Sequence, residues 1–201
     1  MNFYLSRLTP LLNERRLAHV QRVSEVSVKL AKKYGASVEK AALAGLLHDA
    51  AKYLNPTTLY EKFDVPITKE SEECFNRYPS VWHALYGPIF IEPYFEISDK
   101  EVLKAIQCHT TGQDNMSLLS EILFVSDYIE PGRMMPDSTY IHELAFEDLK
   151  KAVYAVSFTV FLSLLNRGLP IHPDTMACHN AYVKKEESFD LIRKELLRLN
   201  Q

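Results

Sequence analysis

Helical periodicity, renewed by a capping signal at nearly every break, is what most restricts the fold of this chain. From Glu14 to Tyr34 the apolar positions Leu17, Val20, Val23, Leu30 and Ala31 recur at helix spacing, which lines them along one face. Gly35 offers the left-handed conformation that ends such a helix. Ser37 is placed to cap a second helix through Ala41, Ala42, Gly45 and Leu46. Asn55-Pro56, Val65-Pro66 and Tyr78-Pro79 break residues 54–80 into short pieces, because the residue before a proline avoids helical backbone. Ser80 is expected to cap a helix from Val81 that Gly87-Pro88 bends or interrupts. Ser98 with Glu101 reads as a capping box ahead of Val102, Ala105 and Ile106. Ser117 opens a helix through Leu119, Ile122 and Leu123 that ends near Pro131-Gly132. Residues 146–167 read as one amphipathic helix closed by Gly168, and Asp174 as the cap of the last helix or pair of helices. Alternating runs joined by hairpin turns such as Asn-Gly are lacking. The expected class is all-α.

Hydrophobic residues make up 47% of the 201 and charged residues 24%, enough to build a core around a site without staples. Cys74, Cys108 and Cys178 are odd in number and form no C-x-x-C pair. They read as free thiols of a reducing compartment, hence a cytoplasmic protein. The opening stretch MNFYLSRLTPLLNERR is charged, unlike a signal peptide. No apolar run approaches the roughly 18 residues of a membrane span, since the longest, around Val156 to Leu165, holds Ser and Thr. A soluble protein with no membrane partner is expected. A net charge of -3 provides no basic field for nucleic acid. A polyanionic ligand would need local attraction, from metal ions or a few placed Lys and Arg. With no repeat or long linker, the chain counts as one domain.

The chemistry rests on histidine and aspartate placement. The dipeptide His48-Asp49 alone says little, because seven His and nine Asp give roughly 0.3 such pairs by chance. Context says more. His19 shares a helical stripe with Val23, Val26 and Leu30; His109 extends the stripe of Val102, Ala105 and Ile106; Asp127 extends that of Leu119 and Leu123. His48-Asp49 ends the small-residue run AALAGLL, which permits close packing. An inward aspartate is costly to bury unless it is paired or bound to a cation. Imidazole and carboxylate converging from separate helices build metal sites in bundles, and this mixture suits iron, manganese or zinc. Satisfied core or surface histidines remain the alternative, and it is the reading given to His142, His172 and His179.

The order His19, His48-Asp49, Asp127 resembles the HD superfamily of metal-dependent phosphohydrolases, and His83 and His109 resemble the added ligands of its dinuclear members. More narrowly, RLAHVQRV around His19, KAALAGLLHDAAK around His48-Asp49, CHTTGQDNMSLLSEILFVSDYIEPGR around His109 and Asp127, and the tail GLPIHPDTMACHNAYV are similar to the YqeK family of symmetrical diadenosine tetraphosphate hydrolases. The family usually has a glycine after the histidine where this chain has Ala84 after His83. The resemblance implies a single HD-domain helical bundle over residues 1–201, with a metal-site core at about 16–133 and helices of 146–201 packed on it. It implies two metal ions, one held by His19, His48, Asp49 and Asp127, the other by Asp49 as a bridge with His83 and His109. They would be divalent or mixed-valence, iron foremost, with Mn, Co, Mg or Zn also compatible. The implied reaction cuts the central phosphoanhydride of diadenosine tetraphosphate to two nucleoside diphosphates.

Lys52 and Arg133 are expected beside Asp49 in catalysis and on the substrate phosphates, Lys52 because it follows His48 by four residues and Arg133 because a guanidinium fork suits phosphate oxygen. A surface lysine and a structural arginine stay open. Thr110, Thr111 and Gly112 form a small polar turn able to offer hydroxyls and N–H groups to an anion, or simply a helix stop. Glu130 is read as a group that could orient Arg133 or Lys52, and Tyr53 or Tyr128 as rings that could stack a base. Another HD-type nucleotidase or phosphodiesterase, and a non-catalytic nucleotide sensor, are the rival readings. A homodimer is left open.

Overall fold

The computed structural model describes Asn2–Asn200, so Met1 and Gln201 of the single-domain span lie outside the described residues. Most of the helices begin where a side chain or proline relieves the free N–H groups of the first turn; α9 and α12 have no side-chain cap. After α1 (Asn2–Leu8), Asn13 accepts from Arg16 N and starts α2 (Glu14–Tyr34), which Gly35 ends at φ 74°. Ser37 caps α3 (Val38–Leu47), as its position in the sequence suggested. Asn55 and Thr68 cap the short helices α4 (Pro56–Phe63) and α5 (Lys69–Arg77). Helices α6 (Pro79–Tyr94), α7 (Lys100–Cys108) and α8 (Leu118–Ile129) follow, and then α9 (Ser138–Glu147), α10 (Leu149–Asn166), α11 (Pro173–Tyr182) and α12 (Glu187–Leu199). Among the described residues there is no strand, and the all-α expectation holds.

Several boundaries differ from the sequence reading, each for a local reason. Helix α6 starts at Pro79 and not under a Ser80 cap, because proline has a preset φ and no N–H to satisfy at the first helical position. It runs uninterrupted through Gly87-Pro88; a β-carbon at Gly87 would lie 3.1 Å from the Ala51 Cβ, so this glycine serves close packing. Asp99, not Ser98, caps α7, its carboxylate accepting from both Glu101 N and Val102 N. The expected helix 146–167 is divided: Asp148, at φ −144°, ends α9 and caps α10 through Lys150 N and Lys151 N. His172, not Asp174, caps α11, its Nδ1 accepting from Asp174 N. Helix α10, with 18 residues and mean hydropathy 1.2, is long and apolar enough to cross a membrane by length and composition. Counting Ser157 and Thr159 as breaks hid this. Here its buried face, Ala152 to Val156 with Ser157 and Thr159, packs on α8, α9, α11 and α12.

The most extensive pairing is α2 on α3, and α8 lies against α2, α3, α7 and α10. A β-carbon on Gly45 would come within 2.6 Å of the Ser24 Cα, so only glycine lets α3 sit this deep against α2. That contact brings the end of α3 to the inner face of α2, and α6, α7 and α8 close around the same point.

Candidate metal centre

Five elements each deliver a ligand-type side chain to the centre of this bundle. His19 comes from the buried face of α2, His83 from α6 and Asp127 from α8. His48 and His109 are the C-cap residues of α3 and α7, and Asp49 follows His48. His19, His48, Asp49, His83 and His109 are all at most 5% exposed. The Asp127 side chain keeps 15% exposure, at the opening.

The ring orientations are held by local bonds. His48 Nδ1 lies 2.8 Å from Gly45 O and His109 Nδ1 lies 2.7 Å from Ile106 O. A carbonyl only accepts, so both rings carry hydrogen on Nδ1 and present a lone pair on Nε2 when neutral. His19 Nδ1 is 3.1 Å from Glu130 Oε1, which does the same for that ring. The Nε2 atoms then meet: His19 and His48 at 3.3 Å, His83 and His109 at 3.3 Å. Two lone pairs at that distance repel unless a proton or a metal cation stands between them.

Asp49 faces both pairs. Its Oδ2 is 3.7 Å from His19 Nε2 and 3.5 Å from His48 Nε2, whereas Oδ1 is 3.0 Å from His83 Nε2 and 3.7 Å from His109 Nε2. Asp127 Oδ1 joins the first pair at 3.1 Å from His19 and 3.6 Å from His48. Although buried, Asp49 Oδ1 has no hydrogen-bond partner; its approach to His83 lacks the alignment of a bond. An orphaned carboxylate oxygen amid imidazole lone pairs fits a cation site. Two subsets have every ligand atom within 4.8 Å of the others: His19, His48 and Asp127, and His48, Asp49 and His109. His83 joins through Asp49 Oδ1 and His109. No thiolate competes, since Cys108 is buried with its Sγ turned to Ala105 O.

The electrostatics divide the cluster, favouring the charged forms of both carboxylates and His48 and the neutral forms of His83 and His109. Burial opposes charge on His48, yet the adjoining Asp49 and Asp127 carboxylates outweigh it and push its pKa up to about 9. Burial pushes His83 down to about 4 and lowers His109. Burial would raise Asp49 and Asp127, but His48 beside the first and Arg133 beside the second hold both well below the usual carboxylate range.

A recess of about 310 Å³ opens beside the cluster at His19, walled by Arg15, Arg16, Arg22 and Arg133 with Asn13, Tyr53 and Glu130 also lining it. Arg133 Nη2 is 2.9 and 3.0 Å from the two Asp127 oxygens. Lys52 Nζ lies 3.2 Å from His83 Nε2 and 3.7 Å from Asp49 Oδ1. Tyr53 is 52% exposed, whereas Tyr128 is buried and donates to Asp137 Oδ1, out of reach of a base. The Thr110–Gly112 turn is not brought to the recess as a donor group. Thr111 is buried with its hydroxyl donating to Gly112 O, and Gly112 sits at φ +67° where a β-carbon would strike Cys178. These two residues are the helix stop and its packing; Thr110 is half-buried.

Glu130 orients neither Arg133 nor Lys52. It accepts from the Arg22 guanidinium, from Gly132 N at 2.7 Å and from His19. Arg16 and Arg22 were missed as site residues, although Arg16 Nη1 donates to Asp49 Oδ2 at 2.7 Å. The signal was present: both stand one helical turn from His19, on its own face. His142, His172 and His179 lie outside the cluster, packed against Phe146, Tyr78 and Phe161.

A family model described as HD domain matches residues 16–132, more than half of the chain. The symmetrical bis(5'-nucleosyl)-tetraphosphatase of Halalkalibacterium halodurans is 34% identical over 183 residues, covering 91% of this chain and 97% of that protein. The protein of the same name from Bacillus subtilis is 31% identical, over 84% of this chain and 90% of its own. A crystal structure from Clostridium acetobutylicum, described as a predicted HD superfamily hydrolase involved in NAD metabolism, has a TM-score of 0.82 and 32% identity, covering 92% of this chain and 97% of that one. The chain belongs to the HD domain family of hydrolases, among its symmetrical bis(5'-nucleosyl)-tetraphosphatases.

Proposed function

We propose that this protein hydrolyses the central phosphoanhydride of diadenosine tetraphosphate, or a related dinucleoside polyphosphate, to two nucleoside diphosphates. The observation that carries the reading is one buried carboxylate, Asp49, whose two oxygens face two separate histidine pairs beside an arginine-lined recess. His19, His48, Asp49 and Asp127 would hold one cation, and Asp49, His83 and His109 a second. Iron is the metal proposed; Mn, Co, Mg and Zn suit the same nitrogen and oxygen donors. Cations bound there would acidify water and screen charge on phosphate oxygens.

The chain's own residues supply the rest. Arg16 and Lys52 contact Asp49, and Arg133 contacts Asp127, while Arg15 and Arg22 complete the recess. A tetraphosphate entering it offers these cations oxygens denser in charge than a carboxylate already shared with histidine. Arg133 and Arg16 present guanidinium forks to it, and Lys52 a point charge. Catalysis is then chiefly positioning and offset of charge on the phosphoryl group. Three free cysteines are consistent with a reducing, cytoplasmic setting.

The test is hydrolysis of diadenosine tetraphosphate in heavy-oxygen water by protein purified without air, followed by chromatography and mass spectrometry. Two ADP are expected, with the label on the β-phosphate of one of them. ATP with AMP, or label on an α-phosphate, would sink the reading.

A further inference from the structure

A dinucleoside substrate must place two nucleosides, and the recess beside the cluster, lined by four arginines, offers a single exposed aromatic ring, Tyr53. A second cleft, of about 660 Å³, adjoins it and shares Glu130 and Arg133 as lining. The volume is typical of small-molecule sites, roughly 300–1,000 Å³. One wall is α2 at Val26 and Lys29; the other is the 131–136 connection with His142 and Phe146 of α9.

This connection exposes apolar side chains in a way burial does not explain. Met134 is 95% exposed and Met135 43%. The segment is bracketed by Pro131 and Pro136 and is tied down at its far end by buried Asp137. Asp137 accepts from Tyr128 Oη at 2.9 Å, Thr159 Oγ1 at 2.9 Å and Asn200 Nδ2 at 3.0 Å. The methionines are therefore carried on an anchored strap. The exposed His142 ring lies 4.9 Å from that of Phe146, tilted by 39° to it, and both rings line the same cleft. Polarizable thioethers and an aromatic face are what a heterocyclic base packs against. Arg133 lines both recesses, so a polyphosphate reaching from the metal centre to this cleft would pass it.

We propose that the α2–α9 cleft is a nucleoside site, taking the base of one substrate arm against Met134 and His142 while Arg133 holds the adjoining phosphate. The proposal rests on the hydrolase reading above, and its test separates the two. Photolabelling the full chain with 8-azidoadenosine diphosphate should mark the peptide holding Met134 to Phe146, and excess ADP should protect it. A double variant, Met134→Ser with His142→Ala, changes only exposed side chains. It should raise KM for diadenosine tetraphosphate by about tenfold, the scale of removing one apolar group from a binding pocket, with kcat and metal content unchanged. Label confined to another surface, such as the 560 Å³ cavity beside Tyr78 and Tyr86, or a parental KM in the double variant, would overturn the site. Label in the cleft without any hydrolysis by the parent would keep the nucleoside site and remove the reaction.

Discussion

The two oxygens of Asp49 face two separate histidine pairs, and under the proposed two-metal reading its loss would differ in kind from the loss of any histidine. Replacing Asp49 with Ala should empty both metal positions, whereas His109→Ala should spare the set made by His19, His48, Asp49 and Asp127. Elemental analysis reads this directly, and two metals per chain in the Asp49 variant would refute the bridge. Glu130 acts through His19. Its carboxylate fixes hydrogen on Nδ1 while Arg22 and Gly132 N hold the carboxylate in turn. Glu130→Ala should weaken metal binding by about 10–100-fold, the usual cost of losing such a partner, measured by competition with a chelator. Unchanged affinity would reduce Glu130 to a structural ion pair. Arg133→Ala should keep its metal yet lose about 10²–10³ in turnover, comparable with removing an oxyanion donor. A fall in metal content of the same size would instead make Arg133 a support for Asp127.

At the scale of the element, two histidines are aimed by the ends of their helices. His48 and His109 both occupy the C-cap and both bond a carbonyl three residues back. The ring direction is thus tied to the helix axis, and anything that displaces the helix displaces the ring. Gly45 connects these facts, since it sets how closely α3 approaches α2 and its carbonyl holds His48. Gly45→Ala would push a methyl onto the Ser24 backbone. An overpacking cost of about 1–3 kcal/mol is expected, visible as a lower denaturation midpoint together with poorer metal retention. Loss of stability with metal binding intact would separate packing from ligand aim. Much at this scale is legible in the sequence: Asn13 apart, the start and stop of α2 and the Ser37 and Ser117 caps follow from residues within four positions of each boundary. The division at Asp148 was missed because both flanks share apolar periodicity, although the cap itself is local, the Asp148 carboxylate accepting from Lys150 N and Lys151 N.

In the whole molecule, the C-terminal helices are joined to the site-bearing bundle partly by a buried carboxylate. Tyr182 of α11 donates to Glu121 of α8 at 2.6 Å, and burial raises the Glu121 pKa. A raised carboxylate binds more protons folded than unfolded between its two pKa values, so stability falls as pH climbs through that window. The penalty persists at neutral pH. Glu121→Gln keeps an acceptor for Tyr182 and removes the charge, so its Tm should exceed the parent's at pH 7. The gap should narrow as pH is lowered toward the ordinary glutamate value, where both states bind the proton. Thermal melts of the two proteins across pH 4–8 give the comparison; a gap that widens toward acid would reverse the sign.

Sequence alone determined the helical class, the starts of α2, α3 and α8, and the inventory of candidate metal-ligand residues. Capping bonds, proline geometry and apolar stripes are interactions among near neighbours in the chain. Inward placement of His19, His109 and Asp127 follows from those stripes, and the structure brings all six residues of the expected ligand set together. Tertiary structure decided what surrounds them. Arg16 reaches Asp49 across 33 positions and Arg22 reaches Glu130 across 108, distances at which no local rule pairs one arginine with one carboxylate. It also turned Thr111 and Gly112 from anion donors into packing, because Cys178 of a distant helix fills the space in front of Gly112. Which polar groups face an opening depends on what else is folded over them, and that is a property of the packed chain.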